Sequence, residues 1–179
     1  MANLDSPNGF NPIGKIGGGT SPAMNKYNAV AGHNVQIFQG DLCKLNAGNI
    51  ERGAAADTAF VGVFWGCNFD DSDGKPTFKN NRAASQLASV FIYDDPYQTF
   101  EIQGDAASAQ GNLGNLGDIN AGGGNTSTGV SEMEVDSANF GGGGKINLRV
   151  VGLSDKEGRN EVGSANLLYE VLINEHVYK

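Results

Sequence analysis

Short runs of alternating apolar and polar positions dominate this chain after about residue 30: 34–38 (NVQIF), 58–65 (TAFVGVFW), 89–95 (SVFIYDD), 98–105 (QTFEIQGD), 131–137 (SEMEVDS), 145–153 (KINLRVVGL) and 166–178 (NLLYEVLINEHVY). Each is rich in β-branched or aromatic residues and bounded by Gly, Asn, Asp or Pro, as strands are. In 145–153, Ile146, Leu148 and Val150 share one face and Lys145, Asn147 and Arg149 the other; in 131–137, Met133 and Val135 oppose Glu132, Glu134 and Asp136. Period-two alternation of this kind describes antiparallel sheets with one buried and one wet face. The pattern predicts an all-β body, an antiparallel jelly roll or small β-barrel, over residues 31–179. Residues 83–88 could hold a helical turn ahead of their strand, an option the alternation does not favour.

Residues 1–30 read differently. Pro7, Gly9, Pro12, Gly14 and the triplet Gly17, Gly18 and Gly19 break any long hydrogen-bonded element, which predicts an extended arm and no core strand. Two long glycine-rich loops are predicted as well. Residues 106–129 carry a GNL-GNL-GDI repeat that sets Leu113, Leu116 and Ile119 three apart, a spacing able to pin a loop to the body, with 122–128 mobile. Residues 140–145 (FGGGGK) read as a flexible connection.

Twenty-seven glycines in 179 residues agree with a loop-rich strand protein of one domain plus appendages. Of the net charge of −8, residues 1–30 contribute +1 and the rest −9. An acidic body repels phosphate backbones and anionic lipid, which counts against nucleic-acid and membrane partners. No secretion signal opens the chain and no apolar run reaches spanning length. Cys43 and Cys67 lie in apolar runs and read as free core thiols.

Candidate chemistry is thin, and no cofactor or metal is expected. A phosphate loop at 139–146 fails because Asn139 replaces its first glycine and Ile146 follows Lys145. Asp71, Asp73 and Gly74 match part of a calcium loop, yet Phe69 holds the first ligand position and Asn80 the closing one, so a solvated hairpin turn fits better. His33 and His176 form no pair. Glu101, Glu132 and Glu134 alternate with apolar neighbours as solvent-facing strand residues do, so the chain is not read as an enzyme.

Taken in order, "NLDSPNGFNPIGKIGGG", "DDPYQTFEIQGD", "NTSTGVSEMEVDS", "LRVVGL" and "NEVGSANLLYEVLINEHVY" resemble a group of tailed-bacteriophage head proteins that decorate, or cement, the capsid. The resemblance spans nearly the whole chain. It departs at Gly9-Phe10-Asn11-Pro12, where the group often carries arginine before the proline, and a charge-assisted contact with the shell is thereby in doubt. The resemblance implies a virion structural protein, made in the bacterial host cytoplasm, that binds the outer capsid surface and joins neighbouring major capsid protein subunits. It also gives the arm a purpose: Phe10, Pro12, Ile13, Ile16, Met24 and Tyr27 would lie in grooves of a neighbour. A homo-oligomer is expected, a trimer ahead of a dimer, because subunits making equal contacts must share the lattice axis they occupy. The alternative is a virion-borne module for host surfaces or carbohydrate, with Trp65, Tyr93 and Tyr97 as candidate aromatic faces, although Trp65 ends a strongly apolar run and reads as core.

Overall fold

The computed structural model describes residues 3–19, 22–107, 109–141, 147–154 and 160–179. The chain is all-β, and every strand ladder is antiparallel, in a jelly-roll-like arrangement of two main sheets. The first sheet orders its strands Asn11–Lys15, Gln98–Gln103, Leu168–Ile173, Leu148–Leu153 and Leu116–Gly117. The second runs Asn25–Ala29, Ala88–Tyr93, Phe60–Asp70, Leu42–Asn46 and Asn49–Arg52, with Pro76–Lys79 pairing on the far half of Phe60–Asp70. No helix among the described residues is long and apolar enough to cross a membrane.

Alternation explains how one sheet serves two cores. Leu42 and Cys43 point to opposite faces, as do Ile92 and Tyr93. Leu42, Phe60, Val63 and Tyr93 face the first sheet and meet Phe10, Phe100, Ile102, Leu148, Val150, Tyr169 and Val171. Cys43, Ile50, Val61, Phe64, Val90 and Ile92 form a second apolar cluster on the other face. The two end strands, Asn25–Ala29 and Asn49–Arg52, lie against each other, so the sheet curls around that cluster. The ladder does not close, which corrects the small-barrel option. Gly62 permits the curl: at φ +147°, an added Cβ would stand 2.1 Å from the Tyr93 carbonyl oxygen.

Five of the predicted runs coincide with long strands, and residues 145 and 146 of the sixth run lie outside the described residues. Only Ile37–Phe38 of the first run pairs, and residues 83–86 form a turn without a helix. Cys43 and Cys67 are buried free thiols, as expected. Asp71 caps the Phe60–Asp70 hairpin, its Oδ1 accepting from the amides of Asp73 and Lys75. Residues 122–128 are not a bare loop, since Gly124–Asn125 pairs with Val130–Ser131. Of the GNL repeat, only Ile119 reaches the core; Leu113 is exposed. Of the 140–145 connection, residues 142–145 lie outside the described residues.

The larger correction concerns the arm. Asn11–Lys15 is a hydrogen-bonded edge strand against Gln98–Gln103, and Phe10, 2% exposed, packs edge-on against Phe100 at 5.9 Å between ring centroids. Pro12 and Gly14 are tolerated because an edge strand needs only one row of hydrogen bonds, and the register slips between those two residues. Upstream, residues 3–8 cross the outer face of the same sheet. Gln103 donates to the Leu4 carbonyl and accepts from the Ser6 amide, while Asn3 donates to the carbonyls of Glu161 and Ala165 and accepts from the Glu161 amide. The chain then passes into the core through Gly9, φ +63°, whose added Cβ would meet the Gly40 oxygen at 2.5 Å.

Candidate functional site

The six residues assigned to docking separate into two kinds. Phe10 belongs to the core, so it cannot enter a neighbour's groove; its hydrophobicity signals folding. Pro12 and Tyr27 are half-buried, whereas Ile13, Ile16 and Met24 stand 39%, 50% and 41% exposed. In chain order they make an apolar row: Ile13 lies within the Asn11–Lys15 strand, Ile16 directly follows it, and Met24 directly precedes Asn25–Ala29. The Ile16 amide bonds the Tyr97 carbonyl at 3.0 Å, and Lys15 Nζ pairs with Asp95 Oδ2 at 2.6 Å, which fixes this part of the segment to the 94–97 turn. The ion pair, together with the Tyr97 amide, holds the Asp95 carboxyl below its usual range.

Beside this apolar row lies an open basin of about 640 Å³, whose walls include Tyr27, Asp94, Asp95, Tyr97 and Tyr178. Tyr97 and Tyr178 are 56% and 53% exposed, large for aromatic side chains. Asp94 is buried and accepts from Asn25 Nδ2 and Tyr27 Oη. Burial and the Asp94 hydrogen bond push the Tyr27 phenol well above its ordinary value, so it stays a donor.

The aromatic residues considered for sugar binding do not converge as a set. Trp65 and Tyr93 line a smaller cleft of about 240 Å³ with Asn8, Asn11, Pro12 and Gln39, while Tyr97 belongs to the basin. Trp65 is half-buried, with its ring 5.0 Å from Phe78 and 6.1 Å from Phe91. A larger cleft, about 710 Å³, opens elsewhere, between Asn28, Asn49, Phe69, Thr77, Phe78 and Ser89 at the mouth of the curled sheet.

Glu101 corrects the solvent-facing expectation: it is 6% exposed and accepts from Ser154 Oγ at 2.6 Å, so its carboxylate is engaged within the fold. Glu132 is exposed as predicted. Glu134 is half-buried, and desolvation, then Asp105 and Asp5, raise its pKa from 4.5 to about 7. A raised folded-state pKa makes ionisation costly: stability falls as pH climbs from about 4.5 through 7, and the penalty is complete above 7. Glu134→Gln is therefore expected to stabilise the protein at pH 8 by about 1 kcal/mol, after solvent screening, and to be neutral at pH 4. Urea unfolding at the two pH values checks it; equal effects at both would sink the assignment.

Both histidines are built into the fold. His33 Nε2 accepts the Arg52 amide at 3.1 Å, and His176, 5% exposed, lies behind Tyr178 with 5.6 Å between ring centroids. Burial lowers both pKa values.

Pattern reasoning missed a densely bonded cluster among the described residues. Asp41 is fully buried and takes a two-pronged contact from Arg52, Nε to Oδ2 at 2.8 Å and Nη2 to Oδ1 at 3.1 Å. Ser131 Oγ at 2.7 Å and the Phe38 amide at 2.8 Å also donate to its carboxylate. The same guanidinium donates to the carbonyls of Ala121, Gly122 and Gly123, tying the glycine loop to the body. Burial pushes the Asp41 carboxyl up, and the guanidinium opposes it. Arg82, also fully buried, instead donates to the carbonyls of Val30, His33, Val35 and Gln86. Both are architectural, because their guanidinium groups are engaged with acceptors of the fold itself.

No protein-family model, no curated protein and no solved structure matches this chain.

Proposed function

We propose that the chain is a capsid decoration protein of a tailed bacteriophage, a virion structural protein that joins neighbouring major capsid protein subunits on the outer surface of the shell. The observation that carries this reading is the exposure of the apolar residues Ile13, Ile16 and Met24, on or beside the edge strands Asn11–Lys15 and Asn25–Ala29, each held to the body by a strand ladder. The family resemblance along the chain supplies the partner. A pre-ordered docking edge loses less conformational freedom on contact than a free arm would, so less of the gross contact energy is spent on ordering. Repetition across a lattice then raises the net affinity of an oligomer, with a trimer on local three-fold positions preferred over a dimer. The work is binding alone, with no catalytic step, and the acidic body faces away from the packaged genome.

Co-sedimentation with purified capsids of the source phage tests the reading, comparing the native chain with Ile16→Asp/Met24→Asp. Both positions are near half-exposed, so the variant keeps the fold. Saturable binding by the native chain, weakened at least tenfold in the variant, is expected. No binding by the native chain overturns decoration; undiminished binding by the variant overturns this surface as the contact.

A further inference from the structure

Around Asp94, the basin beside the apolar row has a one-sided chemistry that follows from counting hydrogens. Tyr27 has one phenolic proton, and at 2.5 Å it is given to Asp94 Oδ2, which has none to offer. In the 3.1 Å contact between Tyr27 Oη and Tyr178 Oη, Tyr178 is therefore the donor. Its own oxygen is left with lone pairs only. Asn25 Nδ2 is spent on both oxygens of Asp94, and Lys15 Nζ on Asp95. The side-chain donors next to Asp94 are thus already engaged, while the Tyr97 hydroxyl, farther out on the basin wall, can donate as well as accept.

Charge points the same way. Lys15 balances Asp95, but the Asp94 carboxylate, 7% exposed, is met among the described residues by neutral donors. His176 does not balance it, since burial and Lys179 lower its pKa and keep it neutral at pH 7. Lys179 is turned to the Ile173 carbonyl at 2.6 Å. A carboxylate without a cation, beside two exposed phenol rings whose faces attract positive charge, is the chemistry that recognises an ammonium or guanidinium group.

We propose that the basin bounded by Tyr27, Asp94, Tyr97 and Tyr178 binds the cationic head of a basic side chain presented by a docking protein. That the docking protein is the major capsid protein rests on the decoration reading; the cation chemistry does not. The apolar row and the basin then form one composite surface, in which Ile13, Ile16 and Met24 contact apolar neighbours while an arginine or lysine reaches the rings.

The test is an NMR titration of the full chain, following the ring resonances of Tyr97 and Tyr178, with Nα-acetyl-arginine amide, its neutral isostere Nα-acetyl-citrulline amide, and methyl glucoside. Saturable shifts with the arginine compound, at least tenfold weaker with citrulline and lost in Tyr97→Ala and Asp94→Asn, are expected. Tyr97→Ala alters an exposed ring and keeps the fold, so its result stands even if Asp94→Asn disturbs the hydrogen bonds. Equal shifts with citrulline, shifts with glucoside alone, or none overturn the assignment. Capsid co-sedimentation of Tyr97→Ala separates the two readings: retained native binding removes the basin from the interface while leaving decoration intact, and absence of binding by the native chain sinks decoration while the titration still decides the basin.

Discussion

Asp41→Ala is expected to cost about 3–5 kcal/mol, a large share of the roughly 5–15 kcal/mol that holds a domain of this kind together. The loss comes from what stays behind. Arg52, with 13% of its side chain exposed, would keep its charge without a counter-ion, and Ser131 Oγ and the Phe38 amide would lose a buried acceptor. Asp41→Asn is expected to fall between, because one carbonyl oxygen survives and the charge does not. Replacing both partners, Asp41→Leu with Arg52→Met, should recover part of the loss, since an apolar pair leaves no buried charge. Urea midpoints of the single and double variants measure the cycle. A cost below about 1 kcal/mol for Asp41→Ala would mean that water reaches the cluster, contrary to its full burial.

Truncating residues 1–15 is expected to unfold or severely destabilise the body, an effect distinct from any loss of docking. Phe10 alone accounts for about 3–5 kcal/mol on removal of its ring from the core, seen as a fall in Tm on the order of 10 °C for Phe10→Ala. Deletion would also strip the edge strand from Gln98–Gln103 and uncover the outer face now crossed by residues 3–8. A truncated chain that failed to bind capsids would therefore say nothing about contact. Far-UV circular dichroism and thermal unfolding of Phe10→Ala and of the truncation check the expectation; a native-like Tm for either would restore the picture of a free arm.

How far the sequence reaches can be judged element by element. Phe60–Asp70, Ala88–Tyr93, Gln98–Gln103 and Leu168–Ile173 carry long apolar or alternating runs, and those positions are the core. Asn11–Lys15 (NPIGK) and Asn25–Ala29 (NKYNA) have weak intrinsic strand preference and exist because a neighbour offers them a ladder. No local pattern could show that. The Asp41 and Arg52 pair is 11 residues apart across a turn and a hairpin, and the basin joins Tyr97 to Tyr178 from distant strand ends. Phe10 shows the ambiguity in its sharpest form: a phenylalanine among glycines and prolines reads equally as a docking residue or as a core residue, and only its partner ring, Phe100, decides.

The position of the first strand also has a consequence for the order in which the protein can be made. Gln98–Gln103 lies between Asn11–Lys15 and Leu168–Ile173, so its two edges are satisfied by segments from opposite ends of the sequence. Phe60 likewise exchanges backbone bonds with Glu175 and Val177. Such pairings are slow to find, and those with Leu168–Ile173, Glu175 and Val177 must wait until that segment has left the ribosome. The first sheet is therefore completed late, and a partly synthesised chain holds Asn11–Lys15 and Gln98–Gln103 without the strand that covers the other edge of Gln98–Gln103.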